Sequence, residues 1–453
     1  MTSIHHRSSA RRAVGLAAFA ALFAAGPVAA QAGRTITYDE AIRIALAQNG
    51  TVRLAENDAA LDEVSVSQQK MQFLPDLRLN TSGSQSVGRS ADAASGIVSD
   101  QTTGAMSAGV SSSVTLFDGF ANVASLRQAR LNRDATQADL ARARQTAVFT
   151  VANHYVALQA RTEELRVRRE DLAAREAEER QIQTMVNAGT RSIADLYQQQ
   201  ASVASARLAV VQAEQAVELA KNDLLQTLQL DPRGSYDFPA PAVSEGSAGS
   251  YDLDALVARA LERRPDLAAL ETRGEAAEQG VRVAKASSLP TVTLSAGYNT
   301  AFSTAADLGF ADQLDQRRGG SLSLGVSIPV FDRGATASAS ERARIQADNA
   351  RIALETERNE VGLQVRRAYL DHQSAQAQLA AAQAQERAAA LALSTAQERY
   401  RVGAATLLEV TQARATQVQA ASALVSARYN LVLQRTLIAY YVGDLDPENA
   451  TLG

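Results

Sequence analysis

Residues 321–330 read Ser-Leu-Ser-Leu-Gly-Val-Ser-Ile-Pro-Val, and residues 291–299 read Thr-Val-Thr-Leu-Ser-Ala-Gly-Tyr-Asn. Strict alternation of apolar and small polar residues predicts strands with two unlike faces. One face carries Val292, Leu294, Leu322, Leu324, Val326, Ile328 and Val330; the other carries Thr291, Thr293, Ser295, Ser321, Ser323 and Ser327. A weaker copy of the pattern places Leu77 and Leu79, then Val110, Val114 and Leu116, on one face. Polar, Gly-containing stretches at 86–103 and 301–320 are expected to be the connecting loops. Strands of about ten residues with this alternation suit either a transmembrane barrel or a soluble two-layer sheet. Counting narrows the choice: the pattern provides four strands, the smallest membrane barrels use about eight, and open edges are not tolerated in lipid. If the strands span a membrane, several chains must share one barrel, and three would supply twelve strands.

The strand pairs are followed by something quite different. Between Gly119 and Gly189 there is no Gly or Pro, and Ala, Arg, Glu, Gln and Leu dominate. These are strong helix formers, and about 67 such residues at ~1.5 Å each make a rod of roughly 100 Å. A second rod runs from about Thr336 to Tyr400, interrupted only by Gly362. The apolar stripe is narrow and rich in Ala, with Val148, Val151, Tyr155, Leu158 and Leu165 at helical steps, which suits close coiled-coil packing. Each rod ends at a Gly-containing turn, Asn187-Ala188-Gly189-Thr190 and Arg401-Val402-Gly403-Ala404, where Gly takes the left-handed cap conformation. Helix is expected to resume over 193–230 and 406–442, giving two antiparallel hairpins with free tips.

The two halves repeat at a period of about 214 residues, far longer than a solenoid unit. Leu46 matches Leu261, Leu74-Pro75 matches Leu289-Pro290, and Phe117-Asp118 matches Phe331-Asp332. Tyr155 then matches Tyr369, Gly189 matches Gly403, and Asp195 matches Glu409. The expected organisation is a secretory signal over 1–32 and a first repeat over 33–230, with its strand pair at 76–117 and hairpin at 119–230. A Pro/Gly/Ser-rich linker over 231–251 joins it to a second repeat over 252–442, with strands at 291–331 and hairpin at 334–442. A tail, 443–453, closes the chain. The signal rests on Arg7, Arg11 and Arg12, an apolar run over 14–25, and Ala30-Gln31-Ala32 as a cleavage pattern. That run is too short for the ~20 residues of a spanning helix.

Composition agrees and excludes other classes. Of 453 residues, 46% are hydrophobic but only 5% aromatic, so small side chains supply the apolar content, as in closely packed helices. With no Cys, disulfides, thiolate metal sites and cysteine nucleophiles are excluded. A net charge of −4 gives no basic footprint for nucleic acid. The three lysines, Lys70, Lys221 and Lys285, lie in no P-loop. Beyond the signal the histidines are His154 and His372, which form no zinc constellation. No nucleophile elbow or dinucleotide turn is present, and neither an enzyme nor a cofactor is expected.

On these features the chain resembles the TolC-like outer membrane factors over about residues 35–445. The resemblance is carried by Leu74-Pro75, Arg264-Pro265-Asp266-Leu267, Leu289-Pro290, Phe331-Asp332-Arg333-Gly334, and the run from Tyr400-Arg401-Val402-Gly403 to Leu407-Leu408-Glu409-Val410. It implies a mainly α fold with membrane β: a homotrimer whose four strands per chain build a twelve-stranded outer-membrane barrel, surrounded by outer-membrane lipid, on a long periplasmic α-helical barrel. The function implied is a passive exit duct for efflux or type I secretion. A periplasmic adaptor (membrane fusion protein) would dock at the tips, Gly189, Thr190 and Arg191 with Val402, Gly403 and Ala404, and an inner-membrane pump or ABC transporter would supply the energy. Acidic side chains just past the second tip narrow the channel in this family; Glu409 holds one such place, whereas the next is Gln412. A family Tyr–Asp link maps onto Tyr400 and Asp195, and a supporting arginine is replaced by Ala405, with Arg191 as a possible substitute. For Glu409 and Asp195 the alternative is an ordinary acid in a helix's first turn, favoured by the dipole. For the whole chain the alternative is a periplasmic coiled-coil adaptor or scaffold without a pore. Two hairpins and two amphipathic strand pairs favour the duct.

Overall fold

A computed structural model describes residues 34–91, 98–240 and 251–446; the expected signal over 1–32 lies outside them, as do 241–250 of the linker and 447–453 of the tail. The first half runs β1 (Arg34–Thr35), α1 (Tyr38–Gln48), α2 (Gly50–Met71), β2 (Arg78–Ala91), β3 (Val98–Phe117), α3 (Ala121–Asn187) and α4 (Ile193–Leu228). The short β4 (Tyr236–Asp237) follows, and then α5 (Leu253–Arg263), α6 (Pro265–Ala286), β5 (Thr291–Ser303), α7 (Phe310–Gln316), β6 (Gly319–Ser327), α8 (Ala335–Arg401) and α9 (Leu407–Val442). Corresponding helices have equal lengths: 11 residues for α1 and α5, 22 for α2 and α6, 67 for α3 and α8, 36 for α4 and α9. No described helix is long and apolar enough to cross a membrane.

The switch from strand to rod is made by one device used twice. After Phe117, Asp118 accepts the amide N–H of Asn122 at 2.8 Å; after Phe331, Asp332 accepts that of Thr336 at 2.7 Å. Each aspartate thereby satisfies a first-turn donor that the helix itself cannot. Between aspartate and helix the chain takes two left-handed residues, Gly119-Phe120 and Arg333-Gly334. At Gly119 a Cβ would also come within 2.7 Å of the Leu289 Cβ, so the turn admits only glycine there.

The four strands form one antiparallel sheet in the order β2-β3-β5-β6. Its register aligns the unlike faces: Val114, Leu294 and Leu324 lie in one row, Val292 faces Val326, and Leu79 faces Val110. This apolar face is bare, with Leu79 77% and Leu322 75% exposed. The opposite face is a ladder of small polar groups, where Asn80 donates to Ser111 at 3.2 Å and Ser82 and Ser107 hydroxyls meet at 2.8 Å. β2 and β6 are unpaired edges.

The expected loops differ. The described part of 86–103 is strand, because alternating Ser, Thr and Gly still pair in register. Within 301–320 lies α7, pinned by the fully buried Gln313. Its carboxamide takes Ser303 N–H at 2.9 Å and donates to the Ser303 and Leu308 carbonyls at 3.0 and 2.7 Å. Gln313 thus imitates a peptide group on the edge of β5 that β6 does not reach. In the stretch expected as linker, β4 pairs in parallel with β1 and the Phe238 side chain is buried against Tyr155.

The rods are held where the short helices join them. In one cluster Tyr155 is fully buried, edge-on to Tyr38 at 5.5 Å, with its hydroxyl donating to the Pro239 carbonyl at 2.6 Å. A second cluster packs Leu256, Ala260 and Leu267 on Val361 and Val365. Beside it Arg264, almost fully buried, pairs with Asp266 at 2.5 Å, while Arg142 stacks on the Tyr440 ring at 3.9 Å. Burial pushes the Asp266 pKa up, but Arg264 and Arg142 outweigh it and hold the carboxyl below its ordinary value. Both hairpins extend away from this belt to free tips.

Candidate functional site at the helix tips

Both tips end by the same hydrogen-bond logic. Gly189 and Gly403 take φ +72° and +78°, and the residue after each closes back onto the helix: Thr190 N–H on the Met185 carbonyl at 2.9 Å, Ala404 N–H on the Arg399 carbonyl at 2.7 Å. The return helices start on Ser192 and Thr406, whose hydroxyls accept N–H groups of the first turn. A small core then ties the two tips together: Ile182 and Leu196 from the first hairpin, Tyr400, Leu407 and Val410 from the second, with Ala405 packed against them.

Glu409 is exposed and engaged. Its carboxylate accepts the Thr406 N–H at 3.2 Å, completing a capping box, and lies 3.6 Å from Arg399. Gln412, one turn on, is also exposed. Tyr400 is buried, and its hydroxyl has no hydrogen-bond partner. Asp195 is near enough to act on it electrostatically, yet no hydrogen bond joins them. Burial raises the Tyr400 pKa, with Arg191 opposing and Asp195 and Glu178 adding to the rise. What grips Tyr400 is Arg191, whose guanidinium lies 4.2 Å from the ring centroid and donates to the Tyr400 carbonyl at 3.0 Å. Thr190, Gly189, Val402, Gly403 and Ala404 remain exposed at the end of the molecule.

Above the tip core lies a charged pair that motif reading did not find. Arg414 on α9 meets Glu178 on α3 at 3.3 Å, with side chains only 8% and 15% exposed. Gln199 on α4 donates to the same Glu178 oxygen at 3.4 Å and to the Arg175 carbonyl at 2.9 Å. Three of the four tip helices therefore converge on one carboxylate. Beside it, Glu178, Arg191, Tyr400, Arg401 and Arg414 line a cavity of about 520 Å³ between α3 and α8. The signal was present in the sequence: Arg414 stands in the stripe Leu407, Val410, Arg414, Val418, where every neighbour is apolar and buried. Chemically the site is a set of non-covalent links between two hairpins, and among the described residues no cluster of His, Asp or Glu is placed to hold a metal.

The model of the outer membrane efflux protein family matches residues 41–228 and again 256–443. The chain is 24% identical over 418 residues to the outer membrane efflux protein BepC of Brucella suis biovar 1, covering 92% of this chain and 88% of that one. It is 27% identical over 350 residues to the pyoverdine export outer membrane protein OpmQ of Pseudomonas putida, covering 76% and 71%. Among solved structures, the outer membrane protein VceC of Vibrio cholerae superposes with a TM-score of 0.75 at 20% identity, over 90% of this chain and 96% of that one.

Proposed function

The chain belongs to the outer membrane efflux protein family, and from that membership we propose that it assembles as a homotrimer forming the passive exit duct of a tripartite efflux pump or type I secretion system. The observation that carries the reading is the open sheet: four strands, two unpaired edges, a bare apolar face and a polar face of small side chains. Lipid tolerates no open edge. Three copies close twelve strands, with apolar residues towards lipid and the Ser/Thr ladder towards a water-filled lumen. Aromatic side chains stand towards the two ends of the apolar face, Phe117 in the row of Val292 and Phe302 in the row of Met106. About ten residues at ~3.4 Å, tilted by ~40°, cover roughly 25 Å, the height of the apolar band in such barrels.

The matched helix lengths and the twofold family match support an internal duplication, so the trimer has six-fold pseudo-symmetry in its helices. Rods of roughly 100 Å extend the lumen into the periplasm. A periplasmic adaptor would dock at the exposed tip residues Thr190, Ser192 and Ile193 and at Val402, Ala404 and Leu408, and an inner-membrane pump or ABC transporter would supply energy and select cargo. The gate is the closure of the tips, in which Arg191 on Tyr400 and Arg414 on Glu178 hold the two hairpins of each chain together. Three exposed Glu409 carboxylates near the axis would favour cations.

Outer-membrane fractions run on gels with and without boiling test this directly. A heat-modifiable trimer band, and ion-conducting channels from that band in planar bilayers, are expected. A soluble, monomeric periplasmic product would defeat the reading in favour of a scaffold.

A further inference from the structure

We infer that neighbouring copies meet along a residue-for-residue image of the junction inside one chain, with Ser84 opposite Ser323 in the sheet and Gln200 opposite Ala392 near the tips. The inference rests on the homotrimeric reading above and adds the register of the seam. The repeat carries Leu74-Pro75 onto Leu289-Pro290 and Phe117-Asp118 onto Phe331-Asp332, hence β2 onto β5 and β3 onto β6. The strand pairing obeys this mapping independently. Arg78 faces Ser111 in the first hairpin, and their images, Thr293 and Gly325, face each other in the second.

Inside the chain the halves join where β3 pairs with β5, with Gly109 opposite Asn299. The image of that junction joins β6 of one copy to β2 of the next. These are the two edges the sheet leaves open, and the images of Gly109 and Asn299 are Ser323 and Ser84.

The helices give the same answer from a different observation. α6 is wedged between the two rods α3 and α8, whereas its image α2 packs along one rod, α3. Ala269 and Ala276 on α6 are 0% and 2% exposed; their images on α2, Leu54 and Leu61, are 66% and 65% exposed. Larger apolar side chains stand bare where the internal junction buries alanines, and the surface that would cover them is α8 of a neighbouring copy. Over the stretch of α8 that mirrors the α3 surface beneath α6, Ile345 and Ile352 are correspondingly exposed. Similarly α9 lies on α3, while its image α4 makes no comparable contact with α8. The images of Arg414 and Glu178 are Gln200 and Ala392. The link that is charged within a chain is therefore neutral between chains at the same height.

The chain has no Cys, so introduced thiols are the only ones present. Within one chain β2 and β6 are separated by two strands, about 14 Å at ~4.8 Å per spacing, so a bond between them must join two copies. Oxidation of Ser84→Cys/Ser323→Cys in outer membranes should give covalent dimers and trimers on boiled, non-reducing gels. Ser82→Cys/Ser323→Cys and Ser86→Cys/Ser323→Cys are displaced by two residues, with Cβ atoms about 7–8 Å apart, beyond the ~4 Å a disulfide spans. These should cross-link at least ten-fold less. A short bismaleimide should link Gln200→Cys/Ala392→Cys in the same ladder. Preferential linking of a displaced strand pair, or failure of the helix pair, in a preparation whose unboiled trimer band is intact, overturns the seam. A wild-type protein that never runs as a trimer instead overturns the homotrimeric reading itself.

Discussion

Replacing Arg414 by Met should unlatch the tips more than any substitution among the residues singled out by motif. The guanidinium and the Glu178 carboxylate lie 3.3 Å apart at 8% and 15% exposure, and the substitution leaves Glu178 with only the Gln199 amide at 3.4 Å. Removing one member of a buried pair costs ~3–5 kcal/mol. The low end applies, because Glu178 borders the open cavity of about 520 Å³, where water can reach it. If the hairpins separate on opening, roughly 3 kcal/mol lost from the closed state raises the open-to-closed ratio by about a hundred-fold. The competing link is weaker: Arg191 offers Tyr400 a cation–π contact worth ~0.5–1 kcal/mol and one hydrogen bond of about 1 kcal/mol, so Arg191→Ala should shift the ratio by a few tens at most. Single-channel recording in planar bilayers reads open probability, and the unboiled trimer band reports folding. The double variant Arg414→Met/Glu178→Gln should return towards wild type, since an uncharged pair leaves no buried ion. An Arg414→Met channel that stays closed with its trimer intact, or an Arg191→Ala channel that opens more, would refute the latch.

Tyr400→Phe alone should leave conductance unchanged, because the hydroxyl it removes has no partner; Glu409→Ala, which loses a capping box worth about 1 kcal/mol, should carry any rise seen when the two substitutions are combined. A rise with Tyr400→Phe alone would mean that its hydroxyl holds the gate through contacts between copies. Acidification should destabilise the periplasmic domain through His372, which is buried edge-on to Tyr251 at 5.0 Å with Arg435 nearby. Burial, then the Arg435 charge, lower its pKa; the unfolded chain therefore takes up the proton first, and stability present above pH ~6.5 is lost as pH falls below it. His372→Gln should flatten the fall in Tm between about pH 7.5 and 5.5, and an unchanged slope would assign it elsewhere. Gln313→Leu strands the Ser303 N–H and two carbonyls, at ~1–3 kcal/mol each, so protease added to intact cells should cut the 304–318 loop several-fold faster while conductance holds. Equal cleavage rates would show that α7 is held by other contacts.

The rods were legible because their signals are local and redundant. Long runs of helix formers, unbroken before Gly189 and interrupted only by Gly362 before Gly403, fix a helix within a residue or two, whatever surrounds it. Strand alternation likewise survived in β5 and β6, since both faces of each strand meet uniform surroundings. Partnership was less legible. Gln313 sits in a polar stretch that reads as loop, and its role exists only because β6 falls short of Ser303. Tyr236 and Asp237 look like linker until Arg34 and Thr35 come alongside. The family match suggested Tyr400 and Asp195 as a bonded pair, but the phenol is turned into a core where Arg191 holds the ring face instead. Arg414 and Glu178 were readable in principle as charges standing in apolar stripes, but a stripe names only a buried position. The partner comes from the other hairpin, more than two hundred residues away, and no spacing rule reaches that far.

The equal helix lengths now have a physical reason beyond common descent. Each residue adds ~1.5 Å and ~100° to a helix, so one extra residue in α3 would raise its tip and rotate its stripe away from α9. Helix propensity does not forbid this, since both rods would remain good helices. The tip core does: Ile182 and Leu196 must arrive at the height of Tyr400, Leu407 and Val410, and Glu178 must arrive at that of Arg414. At the opposite end, Phe117-Asp118 and Phe331-Asp332 start both rods with the same turn, each aspartate accepting an N–H of the first helical turn. With both ends fixed, only matched changes in α3 and α8 are tolerated, and both run to 67 residues. The alanine content follows from the same constraint. Rods that must hold register over roughly 100 Å need a seam of small, uniform side chains, along which a few larger groups and a buried charge pair between the hairpins set the phase.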